Sequence, residues 1–176
     1  MKVMNQGAAQ LKTSRDEFIA QWGALGTQWG INRTMAQIHA LLMTSSHAMC
    51  TDGVMEELSV SRGNAHSNLK ELVAWGLLRM IVIKGDRRDF YEAEKDVWEI
   101  FRIVARERKR REIEPALALL NRCAEETQDL KGDDAEAFNK QVRELKDFVG
   151  FASNISDRVA SMKHGFAIQL AAKLLG

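Results

Sequence analysis

One proline, one tyrosine and two cysteines are all that the 176 residues hold of those types. With only Pro115 to remove a backbone donor, almost the whole chain is open to helix. Cys50 and Cys123 lie far apart and match no ligand spacing. Two cysteines do not make the disulfide framework of a secreted scaffold, so the expected compartment is the reducing cytoplasm. No run of about eighteen uncharged apolar residues occurs, which excludes a membrane-spanning helix and a membrane partner. Met1 to Thr13 lacks the apolar core of a signal peptide. Charge of one sign is missing as well. The 25 Lys and Arg stand against 24 Asp and Glu, a net charge of +1. That balance argues against a protein that coats nucleic acid without regard to sequence, and moves the question to where the cations sit.

Catalytic chemistry is equally thin. His39, His47, His66 and His164 have no carboxylate or cysteine at ligand spacing. No nucleophile stands with a base, and no glycine loop is built to cradle phosphate. No enzyme activity, metal site or cofactor is expected.

What the chain does have is periodicity. Residues 1–14 read as a loose N-terminal tail. From Arg15 onward Phe18, Ile19, Trp22, Leu25, Gly26 and Trp29 recur at steps of three and four, the signature of an amphipathic helix. Gly30 ends it, and Asn32 caps a second helix with Met35, Ile38, Leu41 and Leu42 on one face. Ser45 to Met49 reads as a loop. Thr51 is the expected cap of a short helix carrying Val54, Met55 and Leu58. Ser59 and Val60 make a tight connection, and Ser61 caps a further helix that stops near Gly76. The period then changes. Leu77 to Ile83 is a β-branched apolar run of strand length, Lys84 to Arg87 has turn chemistry, and Arg88 to Glu92 returns as a second strand. Beyond Asp96 the pattern is helical again. Pro115 breaks or restarts the helix that Val97, Trp98, Phe101 and Val104 begin. A last stripe runs from Phe138 through Val142, Leu145, Val149, Ala152, Ile155, Val159, Met162 and Phe166 to Leu170.

Helix, short helix, tight turn, helix and hairpin in that order spell a winged helix-turn-helix. The predicted fold is mostly α: a winged helix-turn-helix domain over 15–95 with a two-stranded wing, then a helical dimerisation region over 96–176. On a helical wheel, Ala65, Leu69, Leu72 and Val73 anchor the helix from Ser61 in the core. Ser61, Arg62, Gly63, Asn64, His66, Ser67, Asn68 and Lys70 lie on its other side and edges. Amides suit adenine, and a cation suits guanine or phosphate, so this is the expected recognition helix. An ordinary solvated helix face has the same composition; the hairpin that follows tips the balance. Lys84, Gly85, Arg87 and Arg88 form the expected wing contact to phosphate or the minor groove, diluted by Asp86 and Asp89. The basic run Arg106 to Arg111 surrounds its helix and reads as a solvated segment paired with acids such as Glu112 and Glu114. Trp22, Trp29, Trp75 and Trp98 read as core and dimer anchors rather than as a cage for a quaternary ammonium ion.

Several of these stretches together are similar to the GbsR-type branch of the MarR superfamily of winged-helix regulators. They are Val60-Ser61-Arg62-Gly63-Asn64, Leu69-Lys70-Glu71-Leu72, Trp75-Gly76-Leu77, Lys84 to Tyr91 and Glu107 to Glu112, with Trp29-Gly30 and Arg33-Thr34 upstream. The resemblance is strong from about Phe18 to Leu120 and weaker beyond. It implies a homodimeric repressor, in some members one that controls osmolyte uptake or choline use. No ligand motif matches residue by residue.

The expectation is therefore a homodimer that binds a pseudo-palindromic operator in double-stranded DNA and is released by a small-molecule effector. The alternative is a winged-helix protein-interaction module without DNA binding. The C-terminal stripe is too long for one small domain to bury, so a second copy is the expected partner. Whether it is one long helix or a hairpin at Gly150 is open at this level.

Overall fold

The computed structural model describes residues 2–161. Its element order is α1 (Lys2–Gln28), α2 (Arg33–Thr44), β1 (Met49–Cys50), α3 (Thr51–Leu58), α4 (Arg62–Trp75), β2 (Leu78–Val82), β3 (Asp89–Ala93), α5 (Val97–Arg108), a π-helical turn (Lys109–Ile113), α6 (Glu114–Thr127) and α7 (Asp133–Ser161). The chain divides at Val97 and Trp98 into two compact units.

The first unit is a winged helix. Its core is built from Met35, Ile38, Leu41 and Leu42 of α2, Val54 of α3, and Ala65, Leu69 and Leu72 of α4, closed by Leu77 and, from the sheet, Leu78, Tyr91 and Ala93. These are the apolar positions that the helical period selects, and burying each large side chain contributes roughly 1.5–3 kcal/mol. α1 lies close along α2 because Gly26 has no side chain: a Cβ there would come within 2.6 Å of the Ala36 methyl. Asn32 caps α2 by accepting from the Met35 amide, and Ser61 caps α4 by accepting from the Asn64 amide. Gly76 ends α4 at φ +88°, a conformation that costs an L side chain dearly.

Three features depart from the sequence reading. The stretch expected to be a loose tail is helical from Lys2. Gln6 to Ser14 are all exposed, so this part of α1 has no buried face for a periodicity argument to find. Met49, read as the end of a loop, and Cys50, just before the expected cap, form a third strand: Met49 pairs with Tyr91 and Cys50 with Phe90. Cys50, not Thr51, is the residue that precedes α3. The sheet order is β1-β3-β2, with Leu78 opposite Ala93 and Val82 opposite Asp89 across the wing.

In the second unit, Pro115 acts as expected but through a π turn. Proline has no amide hydrogen and its ring crowds the carbonyl four residues earlier. The wider turn over Lys109–Ile113, in which the Glu114 amide donates to the Lys109 carbonyl, relieves that crowding, and α6 restarts with Pro115 in its first turn. α7 then returns along α6. The Asn139 Nδ2 donates to the Thr127 carbonyl at 2.7 Å and closes the end of α6, while Lys109 Nζ reaches Asp157 at 2.6 Å. α7 runs through Gly150 without a break, so the hairpin is not adopted.

The stripe on α7 is two faces rather than one. Val142 is buried and Val149 and Ala152 are half-buried, whereas Phe138, Leu145 and Ile155 are exposed beside Phe148 and Phe151. The packed seam runs through Asn139, Val142, Lys146, Val149 and Ser153 at steps of three and four, so Phe138, Leu145 and Ile155 fall to one side of it. Nothing is described for the Val159 side chain, and Met162 and Phe166 lie outside the described residues.

Candidate nucleic-acid interface

α4 presents its first two turns to solvent. Ser61, Arg62, Gly63, Asn64, His66, Ser67 and Lys70 are all exposed, and Ala65, Leu69 and Leu72 hold the opposite face in the core. The tight connection before it works because Ser59 takes a left-handed conformation, φ 53°, at the end of α3. That reversal swings the Ser61 cap into place within two residues.

Asn68 is a correction. It was expected at the edge of the exposed face, but it is only 5% exposed. Its Nδ2 donates to the Asn64 carbonyl at 2.8 Å and to Asn64 Oδ1 at 2.7 Å. The pairing satisfies a polar group that the core would otherwise penalise. Asn64 in turn donates from Nδ2 to Thr34 Oγ1 in α2 at 3.2 Å. Ser67 Oγ donates to the Asn64 carbonyl at 3.2 Å.

Two arginines of these elements, Arg62 and Arg88, are held in place by acids. Arg62 Nη2 lies 2.5 Å from Asp52 Oδ1 in the first turn of α3. At the wing tip, Asp86 accepts from the Arg88 backbone amide and, through both oxygens, from its guanidinium. The Arg88 guanidinium beside it pulls the Asp86 carboxyl down to about 2. The same guanidinium sits 5.4 Å from the centre of the Phe90 ring. Arg88 is thus exposed but already matched with an anion. Lys70, Lys84 and Arg87 form no hydrogen bond or ion pair with other described residues, so they are the uncommitted cations of this surface. Gly85 turns the wing at φ +90°, and the Asp86 amide donates to the Ile83 carbonyl at 3.1 Å to close it.

Elsewhere the basic run is largely neutralised. Arg108 Nε donates to Glu112 at 3.0 Å, Arg110 pairs with Glu107, and Lys109 pairs with Asp157. The Arg110 guanidinium lowers the pKa of the Glu107 carboxyl. Trp22 packs on Phe18 and Trp29 in the first unit, and Trp98 packs on Phe101 in the second. Among the described residues no cluster of His, Cys, Asp or Glu could hold a metal, and no helix is long and apolar enough to cross a membrane. Two clefts have charged walls, one of about 230 Å³ beside Arg79, Glu92 and Glu94, and one of about 480 Å³ beside Glu136, Lys140 and Arg143. Small-molecule sites are mostly apolar, and neither cleft has that lining. Cys50 and Cys123 are free thiols.

Sequence reasoning gave neither Asp52 nor Thr34 a role in the site. Neither lies on α4, and no short spacing couples a residue to a partner ten or thirty positions away.

These elements define the class: a winged helix-turn-helix protein. No family model matches the chain. It is similar to the HTH-type transcriptional regulator MmpR5 of Mycobacterium tuberculosis, with 23% identity over 155 residues that cover 86% of this chain and 89% of that protein. Among solved structures, the crystal structure of a transcriptional regulator superposes with a TM-score of 0.66 at 16% identity, covering 84% of this chain and 95% of the other. Both are named as regulators and neither as an enzyme.

Proposed function

We propose that this chain is a sequence-specific DNA-binding transcriptional regulator that grips a pseudo-palindromic operator as a homodimer, in the manner of the MarR superfamily and its GbsR-type branch. The observation that carries the reading is the open, polar start of α4 beside a wing that offers Lys84 and Arg87 unpaired. A helix of this width fits the major groove, where its first turns reach base edges, while a basic hairpin alongside suits phosphate or the minor groove. The two regulators to which the chain is similar support the same reading.

Dimerisation is supported by what the second unit lacks. Its buried apolar side chains among the described residues are Ile103 and Val142, while Phe138, Leu145, Phe148, Phe151 and Ile155 of α7 remain exposed. An apolar band of that length, on a helix about 43 Å long, is more than a soluble monomer usually shows. Leu11 and Leu25 of α1 and Trp29 just after it are exposed as well. A twofold pair would cover such surface and set two recognition helices one DNA turn apart. Repression, release by a small-molecule effector and a cytoplasmic location complete the proposal.

Selection of bound fragments from random duplex DNA at low salt tests it directly. The expected product is a two-half-site sequence with dyad symmetry. Failure to retain any duplex, while a protein partner is captured through the wing or α4, would instead favour the protein-interaction reading.

A further inference from the structure

Asn64 stands at the third position of α4 with an exposed amide, and that amide is held from two sides. The order of the bonds matters. A backbone carbonyl only accepts, so the Asn64 carbonyl fixes which end of the Asn68 amide faces it: the Nδ2. The second hydrogen of the same nitrogen then points at the Asn64 side chain and requires an acceptor there, which is Oδ1 at 2.7 Å. With Oδ1 so fixed, Nδ2 of Asn64 is the end that meets Thr34 Oγ1. Asn68 is 5% exposed and packed on the core side of the helix, so it does not turn with solvent. A side-chain amide has two lone pairs and two donors. Each end of Asn64 spends one on the protein and keeps one.

On this basis, and resting on the DNA-binding reading above, we propose that Asn68 is a positioning residue that fixes the amide of Asn64 in one orientation, and that α4 thereby selects adenine at one step of each half-site. Adenine offers an acceptor, N7, and a donor, the N6 amino group, side by side in the major groove, which is the complement of one free N–H and one free lone pair. Guanine offers two acceptors on that edge, and the remaining Oδ1 lone pair would face one of them. An amide free to flip would tolerate more bases. Here the flipped state would set the Asn68 donor against the Asn64 Nδ2.

The test uses the full chain and a duplex selected from a random library. Wild-type protein is expected to prefer adenine at one position per half-site and to bind on the order of tenfold more weakly when that base is 7-deazaadenine, which lacks N7. Asn68→Leu keeps the branched four-atom skeleton, removes the donor and should abolish that discrimination while the salt dependence of binding stays as in wild type. Thr34→Val, at the start of α2 and outside the core of α4, should reduce the discrimination in part. It decides the matter if Asn68→Leu does not fold. A folded variant that keeps the full adenine preference overturns the proposal, as does a wild type that binds duplex but shows no such preference. A wild type that binds no duplex at all overturns the DNA-binding reading beneath it.

Discussion

The division of cations into paired and unpaired sets makes a quantitative prediction about salt. Binding to duplex DNA weakens with salt because each phosphate neutralised by the protein releases counterions, with a slope of about −0.9 per contact in a double-logarithmic plot. Lys70, Lys84 and Arg87 are the uncommitted cations of α4 and the wing in each copy, whereas Arg62 and Arg88 are matched by Asp52 and Asp86. Six contacts in the proposed dimer give a slope of about −5 and a loss of about a thousandfold between 50 and 200 mM salt. Lys84→Gln with Arg87→Gln removes four of the six and should bring the slope to about −2. Asp86→Asn with Arg88→Gln changes no net charge and should leave the slope near −5. The measurement is a fluorescence-anisotropy titration of one labelled operator at five or six salt concentrations for each protein. If the neutral replacement of Asp86 and Arg88 flattens the slope as much as the loss of Lys84 and Arg87, then Arg88 leaves Asp86 for phosphate on binding, and the division drawn here is wrong.

Three further outcomes are expected. Phe148→Glu with Ile155→Glu places charge on the exposed face of α7 and should yield a monomer by sedimentation with helix content unchanged; a dimer of undiminished stability would remove that face from the interface. His39 is 5% exposed, its Nε2 has no hydrogen-bond partner, and burial pushes its pKa down to about 4. Above about pH 6.5 both folded and unfolded chains hold it neutral, but between 6.5 and 4 only the unfolded chain gains the proton, so stability should fall by about 3 kcal/mol across that window. Denaturant titrations at pH 7 and pH 4.5 should show that loss in wild type and a smaller one in His39→Leu; equal losses would place the acid sensitivity elsewhere. Gly76→Ala forces a side chain into φ +88° and should lower the melting temperature by a few degrees, for a cost on the order of 1 kcal/mol.

The fold was readable where a periodic apolar pattern meets a cap. Asn32 and Ser61 stand one residue before helices whose apolar positions repeat at three and four, and both accept from the amide three residues on. Gly76 marks the switch from helix to strand because few other residues accept its backbone conformation. Each of these signals is local, confined to a handful of neighbouring positions. β1 carries no such signal: two residues long, it exists only because Tyr91 and Phe90 offer an edge across forty positions of sequence. The helical start of α1 was invisible for the opposite reason. Gln6 to Ser14 bury nothing, so no apolar stripe marks them, and only the preference of their side chains for helix remains.

The candidate site divides along the same line. Which residues lie on the outer side of α4 follows from the turn angle of a helix, and seven of the eight named ones are exposed. What those residues are free to do does not follow from it. Asn68 sits at the margin of the wheel, and it is buried with its amide turned onto Asn64. Arg62 and Arg88 look alike in composition to Lys70 and Arg87. Their difference lies in a carboxylate supplied by α3 in one case and by the turn itself in the other. Exposed ion pairs of this kind contribute little to stability, about 0–1 kcal/mol, so they leave little trace in the forces that set the fold. They weigh more in recognition, because a cation already facing an acid must give up that partner before it gains a phosphate. The sequence names the surface, and the acids around it decide which of its charges are available.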